Sequence, residues 1–396
     1  MPPLRHSVKK KIAPAPKSKK RQTRKATSTR SGILKTLRRA ARTRTKREGP
    51  RELERHERNP ILSPHEGNFW EMKATFNPGA VYADDRVHLL YRAIGGDDVS
   101  VLGYAASDDG ATITERLREP AFVPDVRKKE EPNEPAGPVR SAYLSGGGWN
   151  GGCEDPRLTL LNDRIYLIYT AFDGWGSVRI ALSSIGLQDF LDKKWQWKAP
   201  ALISPPGEIH KNWTLFPEKI RGKFAILHSI SPEIEIAYFD SMEELENGKR
   251  LIESHYDRIS RTGSWDNWVR GAGPPPVKTE FGWLLLYHAM DVRDPNRYKI
   301  GAMMLDLNDP TKVLYRSRVP ILEPDAHYEN SGFKAGVVYS CGAVVRDGKL
   351  YVYYGGADSV TCVAMADLTT FLAELKKYGV PRLTVEKRRT MNDVRH

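Results

Sequence analysis

The sequence is poor in the residues that build disulfide frameworks and metal sites. It has only three cysteines, Cys153, Cys341 and Cys362, and they are far apart. An odd number of widely spaced cysteines indicates reduced thiols rather than a disulfide framework or a zinc site. The ten histidines also lack the spacing of metal ligands. We therefore expect neither a metal ion nor an organic cofactor.

Long apolar runs are missing as well. No stretch reaches the length of a membrane span. The N-terminus has no apolar segment of the kind that marks a secretory signal. These absences predict a cytoplasmic protein without a membrane span, and they leave its oligomeric state open.

Positive charge is concentrated at one end of the chain. The formal net charge is +13, but residues 1–58 hold 21 of the 62 basic and 4 of the 49 acidic residues, so the remainder carries −4. This segment has few large apolar residues, which predicts a disordered basic tail over 1–58 and a folded domain over 59–396. A solvated extension is the favoured interpretation, because no aromatic residue interleaves the charges for base stacking. The alternative is contact with nucleic acid or an anionic surface.

One strand pattern recurs five times in the folded part: VHLLYRA, RIYLIYTAF, KFAILHS, WLLLYHA and LYVYYGGA. Each copy is followed by a second strand rich in small residues, so each pair predicts a hairpin. Five like hairpins predict an all-β fold, a five-bladed β-propeller, with a β-sandwich as the second choice. The spacing of apolar residues after Asp367 predicts a short C-terminal helix.

Polar residues recur where these strands begin and end, and in a propeller such positions meet at one end of the central channel. Tryptophans next to carboxylates and arginines favour a sugar ligand, and cleavage of a glycosidic bond needs an acid, for which we choose Asp155. The candidates at the strand ends are Asn77, Arg92, Asp155, Arg157, Lys211, Asn212, His288, Asp291, Tyr298 and Asp358. Among them, Arg157 and Asp291 are predicted to bind the substrate.

Several of these motifs in register, among them TFNPGAV, GCEDPRLT, KNWTLFPEKI, GAGPPPVKT and YYGGADS, resemble glycoside hydrolase family 130. The resemblance runs from about residue 59 to about residue 367. It implies a five-bladed propeller that cleaves β-mannosides, with Asp155 as the proton donor acting through a sugar hydroxyl. It places Asn77, Arg92 and Asp358 at the bound mannose. The phosphate-binding positions of the family's phosphorylases fall on Lys211, Asn212, Ser229, His288 and Tyr298.

Two of these positions depart from the family pattern. Lysine at 211 replaces an arginine, and serine at 229 replaces an arginine that would bind phosphate in a bidentate manner. The stretch NWVRGAGPPP also lacks the usual lysine before GAGPPP, and Arg270 nearby is the candidate substitute for that lysine. Hydrolysis with inversion is therefore the favoured activity, with Glu233 as the base that activates water. The alternative is phosphorolysis, with inorganic phosphate as co-substrate and mannose 1-phosphate as product. A further alternative is a non-catalytic propeller that binds glycans or proteins.

Overall fold

The computed structural model describes residues 53–123, 150–174, 177–254 and 264–379. Residues 1–52, 124–149, 175–176, 255–263 and 380–396 lie outside these ranges, and with them most of the predicted basic tail. The described part is mostly β-structure, which confirms the all-β class. None of its helices is both long and apolar enough to cross a membrane.

After a first short strand, β1 (Glu54–Arg55), the chain forms five antiparallel units in succession. Unit 1 contains β2 (Ala74–Ala83), β3 (Arg86–Ile94), β4 (Ser100–Ser107) and β5 (Ile113–Arg116). Unit 2 contains β6 (Gly152–Leu161), β7 (Arg164–Phe172), β8 (Val178–Gly186) and β9 (Ala201–Leu202). The two units share one hydrogen-bonded sheet through a single parallel residue pair, Ser100 with Gly152.

The other three units form separate sheets. Unit 3 contains β10 (Thr214–Leu215), β11 (Phe224–Ser229) and β12 (Glu235–Phe239). Unit 4 contains β13 (Trp268–Ala272), β14 (Val277–Thr279), β15 (Gly282–Asp291), β16 (Asp294–Leu305) and β17 (Val313–Arg316). Unit 5 contains β18 (Val338–Arg346), β19 (Lys349–Gly356) and β20 (Val360–Asp367), and β1 pairs with the outer edge of β20.

Helices are short and lie between the strands. They are a 3₁₀ turn (Phe69–Glu71), α1 (Leu187–Leu191), α2 (Glu243–Glu246), α3 (His327–Asn330) and α4 (Leu368–Tyr378). The α4 helix begins at an Asp367 cap that accepts the Thr370 N–H, and it buries Phe371, Leu372 and Leu375. The predicted C-terminal helix is therefore present.

Apolar clusters join each unit to the next. The five larger clusters lie between units 1 and 2, 2 and 3, 3 and 4, 4 and 5, and 5 and 1. The last of these packs Ala80 and Leu89 of unit 1 against Val344 and Tyr353 of unit 5. The alternating apolar residues of each strand pair thus serve two interfaces, one on each face of the sheet.

The folded part begins earlier than predicted, so the boundary at residue 58 is wrong. Leu53 is buried, and β1 pairs with Ala364 and Met365 of unit 5. Arg55 donates from Nε and Nη2 to the two carboxylate oxygens of buried Glu329, at 2.8 and 3.0 Å. The local composition is charged, but these charges are paired in the tertiary structure.

We predict that Arg55→Ala lowers the free energy of unfolding by about 3 kcal/mol, because it leaves the buried Glu329 carboxylate without its cation. Urea denaturation measures the change. Arg58→Ala is the control, since exposed Arg58 donates only to the Thr112 hydroxyl among the contacts described for its side chain. Equal stability of the two variants would contradict the prediction.

Candidate active site

Two bulged strands carry the candidate acid and its amide partner. β2 and β6 each shift register at an X-Pro pair, Asn77-Pro78 and Asp155-Pro156. Asn77 and Asp155 have left-handed φ values of 47° and 54°, a conformation that Asn and Asp adopt more readily than other non-glycine residues. A bulge redirects side chains. Here Asn77 Nδ2 donates to Asp155 Oδ1 at 2.8 Å, across units 1 and 2.

Unit 5 leaves room for this amide. A Cβ atom on Gly355 would lie 2.1 Å from Asn77 Oδ1 and 2.9 Å from the Asn77 backbone nitrogen. Only glycine fits against Asn77 without a shift of the buried chain. The glycine in LYVYYGGA is therefore part of the site, although it carries no side chain.

Asp155 is buried and ionised in the ligand-free protein. Its side chain also receives a hydrogen bond from Arg92 Nη1 at 3.3 Å. Burial alone would raise the pKa of the Asp155 carboxyl, but the charges of Arg92 and Lys211 outweigh burial and lower it to about 2. A group with this pKa holds no proton at neutral pH. An acid role for Asp155 therefore requires a change in its surroundings when ligands bind.

Glu154, the residue before it, is held by the same two cations. Its Oε1 accepts from Arg92 Nη2 at 2.8 Å, and its Oε2 accepts from Lys211 Nζ at 2.9 Å. Its side chain and that of Arg92 are each only 1% exposed. Burial opposes ionisation of Glu154, yet the two cations lower its pKa. Arg92 also donates from Nε to the Ser100 hydroxyl at 3.1 Å.

Asp358 reaches the cluster from the turn between β19 and β20. Ala357 and Asp358 both have left-handed φ values, 50° and 51°. Burial raises the pKa of Asp358 and the charge of Asp155 adds to this, while Lys334, whose Nζ lies 3.6 Å from Asp358 Oδ2, opposes both. The two aspartates thus have pKa values displaced in opposite directions.

A cationic cavity adjoins the carboxylates. Lys211, Asn212, Ser229 and Arg270 are among the residues that line it. Asn212 has a φ of 67°, and its Nδ2 donates to the Arg270 carbonyl at 2.7 Å. Gly271, with a φ of 132°, allows Asn212 to pack against it, because a Cβ there would lie 2.6 Å from Asn212 Cβ.

Arg270 supplies positive charge beside the uncharged Ser229. Its Nε donates to the Tyr298 hydroxyl at 2.9 Å, and its guanidinium lies 4.8 Å from the Trp268 ring centroid. Arg270, the candidate substitute for the missing lysine before GAGPPP, lines the same cavity as Lys211. Tyr298 and Asn212, both predicted at the anion site, contact this arginine directly.

His288 is fully buried and neutral. Burial and the charge of Arg157 lower its pKa to about 3. Its Nε2 accepts the Ser340 backbone N–H at 3.0 Å, so in the neutral ring the proton resides on Nδ1. The ring stacks on Tyr339 with centroids 3.9 Å apart. Nδ1 has no hydrogen-bond partner among the described residues.

Arg157, predicted to bind substrate, is buried and contacts the backbone carbonyls behind the site. Its side chain is 1% exposed and donates to the carbonyls of Asp155 and Gly273, at 2.9 and 2.7 Å. It also donates to Asn212 Oδ1 at 3.0 Å. With these partners, the Arg157 guanidinium fixes both the backbone at Asp155 and the side-chain amide of Asn212.

The structure does not bring two predicted residues to this cluster. Asp291 ends β15, where it accepts hydrogen bonds from Arg293 and Asn267, and the Arg293 contacts hold its pKa well below the usual range. Its described contacts are those of a turn. Glu233 lies between β11 and β12 and is exposed. It was predicted to act as the base beside Asp155, which is buried.

Sequence reasoning missed Glu154 and Tyr339 as members of the site. Tyr339 OH contacts Asn212 Oδ1, and its ring covers His288. Glu154 directly precedes the predicted acid, Asp155, and this position in the sequence could have indicated that it belongs to the site. Tyr339 offered no such signal, because tyrosines recur in many of the strands.

We predict that Gly355→Ala destabilises the fold by about 1–3 kcal/mol, because the added methyl group overlaps Asn77 in a packed interior. Chemical denaturation measures the change. Gly186→Ala is the matched control, since its Cβ would meet only the Asp189 side chain, at 3.4 Å. A Gly355→Ala protein as stable as wild type would show that Asn77 is not held there.

Comparison with known proteins assigns the chain to a family. A family model described as beta-1,4-mannooligosaccharide phosphorylase matches residues 52–377. A 1,2-beta-oligomannan phosphorylase of Thermoanaerobacter sp. (strain X514) is 38% identical over 325 residues, which is 80% of this chain and 97% of the relative. A beta-1,2-mannobiose phosphorylase from the same organism is 34% identical, with the same two coverages.

A solved structure agrees with these relatives. The beta-1,2-mannobiose phosphorylase of Listeria innocua, in complex with beta-1,2-mannobiose, superposes with a TM-score of 0.61 at 27% identity. The match covers 82% of this chain and 99% of that one. These matches confirm both the family that the motifs indicated and the prediction of an enzyme. The chain belongs to glycoside hydrolase family 130.

Proposed function

We propose that this enzyme is an inverting phosphorylase of β-1,2-linked manno-oligosaccharides. An oxygen of inorganic phosphate attacks the anomeric carbon of the terminal mannose, on the face opposite the leaving oxygen. The carbon–oxygen bond to the rest of the sugar breaks, and the leaving oxygen takes a proton. The products are α-mannose 1-phosphate and an oligosaccharide that is one mannose shorter.

The observation that carries this proposal is the cationic cavity beside Asp155. Lys211 and Asn212 line the cavity and also contact Glu154 and Arg157, the neighbours of the acid. Serine at 229 lacks the charge of the family's arginine, but Arg270 lines the same cavity. A phosphate bound there would therefore meet two cationic side chains and an amide. The Tyr298 hydroxyl accepts a hydrogen bond from one of these cations, Arg270.

The charge of the site matches a phosphate dianion. Its described cations are Arg92, Arg157, Lys211, Arg270 and Lys334. Its described anions are Glu154, Asp155 and Asp358, while His288 is neutral because its pKa is about 3. The balance is +2, and a phosphate group carries about −1.5 to −2 at neutral pH.

The opposite half of the site suits the sugar. Asn77, Arg92 and Asp358 converge on Asp155, and we assign them to the hydroxyls of the mannose that is transferred. Asp155 delivers the proton to the leaving oxygen through a hydroxyl of this mannose, as the family resemblance implies. A positioned acid contributes on the order of 100- to 10,000-fold to the rate.

Phosphorolysis is better supported than the hydrolysis favoured by the sequence alone. The relatives with 34% and 38% identity over most of their length are named phosphorylases. Glu233, the base proposed for a hydrolase, is exposed. The same relatives support the β-1,2 linkage, whereas a beta-1,4-mannooligosaccharide phosphorylase of Ruminococcus albus is 29% identical over 54% of this chain.

We further propose that the five units are the blades of a propeller. The ring of apolar clusters and a second cavity support this arrangement. The second cavity is lined by residues of every unit, among them Tyr82, Leu160, Pro217, Lys278 and Val345. An experimental structure in which unit 5 does not pack on unit 1 would overturn this proposal.

The basic segment before Leu53 is proposed to lie outside the catalytic domain, with contact to an anionic surface as a second role. Activity after deletion of residues 2–50 tests the first statement. Salt-sensitive binding that is lost in the same deletion variant tests the second.

The central prediction concerns the product. With β-1,2-mannobiose, the enzyme should release mannose 1-phosphate at millimolar phosphate and little product without phosphate. β-1,4-Mannobiose should react more slowly. Chromatography that separates mannose from mannose 1-phosphate measures the outcome. Asp155→Asn, which cannot donate a proton, is the inactive control. Phosphorolysis of mannobiose yields mannose and mannose 1-phosphate in equal amounts, so free mannose without mannose 1-phosphate would overturn the proposal.

A second prediction concerns the charge beside Ser229. Arg270→Ala should raise the phosphate KM by roughly 10- to 150-fold, the equivalent of one charge-assisted hydrogen bond of about 1.5–3 kcal/mol. The mannobiose KM should change much less. Arg293→Ala is the control, because Arg293 pairs with Asp291 in a turn. A larger effect on the mannobiose KM would place Arg270 on the sugar side.

A further inference from the structure

One guanidinium is shared between two consecutive carboxylates. Arg92 Nη2 lies 2.8 Å from Glu154 Oε1, and Arg92 Nη1 lies 3.3 Å from Asp155 Oδ1. The shorter contact goes to Glu154. Lys211 also pairs with Glu154, at 2.9 Å, while its charge acts on Asp155. Glu154 therefore competes with Asp155 for both cations.

The other charged or titratable groups around Asp155 come from several elements. They are Arg157 of β6, His288 of β15, Tyr339 and Cys341 of β18, and Asp358 of the β19–β20 turn. Burial keeps His288 neutral, and it raises the pKa values of Tyr339 and Cys341 well above neutrality. Near neutral pH, the carboxylate that accepts hydrogen bonds from both Arg92 and Lys211 is Glu154.

We propose that Glu154 is a positioning residue that draws Arg92 and Lys211 away from Asp155, so that Asp155, once sugar and phosphate have changed its surroundings, can hold the proton that the leaving oxygen takes up. The proposal rests on the acid role given to Asp155 in the proposed function. It assigns a task to a buried carboxylate that has no direct part in the bond-breaking step.

Removing the negative charge of Glu154 has two opposite consequences. Arg92 and Lys211 would act on Asp155 alone, which makes it a poorer proton donor. The same two cations would face the phosphate without a competing carboxylate, which strengthens phosphate binding. A variant that is merely damaged in structure would weaken phosphate binding and slow the reaction together. Tighter binding combined with slower turnover is therefore specific to the proposed role.

The test compares Glu154→Gln with Glu71→Gln. Glu71 is a buried glutamate paired with Arg116 at 2.6 Å, outside the candidate site. For Glu154→Gln we expect the dissociation constant of inorganic phosphate, from calorimetry, to fall about 10-fold and kcat at neutral pH to fall about 10-fold. The basic limb of the pH profile should move about one unit lower, since the acid loses its proton at lower pH. Glu71→Gln should change neither the phosphate dissociation constant, nor kcat, nor the basic limb of the pH profile.

Weaker phosphate binding in Glu154→Gln, or an unmoved basic limb, would overturn the proposal. If that variant does not fold, Lys211→Gln decides, because removing this cation should move the basic limb to higher pH and an unmoved limb refutes the role. A wild-type enzyme that needs no phosphate would refute the proposed function. The pH limb of its water-dependent reaction would still test Glu154.

Discussion

The packing of unit 5 against unit 1 is the contact on which the site depends. It places Gly355 of β19 against Asn77 of β2. The neighbouring contact between units 1 and 2 then sets Asn77 against Asp155. Asp155 is thus located by two successive interfaces, although the strands of unit 5 and unit 1 belong to separate sheets. Apolar burial between sheets, rather than a continuous sheet, fixes the positions of the polar groups.

The site is a balance of buried charges rather than a set of isolated groups. Asp155 and Asp358 are both buried, yet cations lower the pKa of one while burial raises that of the other. Buried carboxylates are costly unless they are paired. Here the pairing extends from Ser100 through Arg92 and Glu154 to Lys211. The proposed sugar and phosphate halves of the site therefore share one hydrogen-bonded chain.

The sequence predicted the strands well, because their alternation and five-fold recurrence are local signals. It also identified Asn77, Arg92, Asp155, Lys211, Asn212, His288, Tyr298 and Asp358, which the structure gathers. It could not distinguish Arg157 as a support, since that depends on which carbonyls approach it across the interface with unit 4. Asp291 and Glu233 looked similar to these residues in the sequence, but a turn and an exposed loop hold them away. The start of the fold was misplaced because Arg55 is compensated by Glu329, 274 residues later.

The pairing of β1 with β20 has a consequence for how the chain folds. The first strand needs a partner that is synthesised last, and the Asn59 side chain bonds to Val363, 304 residues away. Contacts of such sequence separation close large loops and form slowly. The pairing of β1 is therefore completed only after β20 has emerged from the ribosome. Until then the apolar flank of unit 1 that later covers unit 5 is exposed, and this nascent surface is where chaperone binding or aggregation would begin.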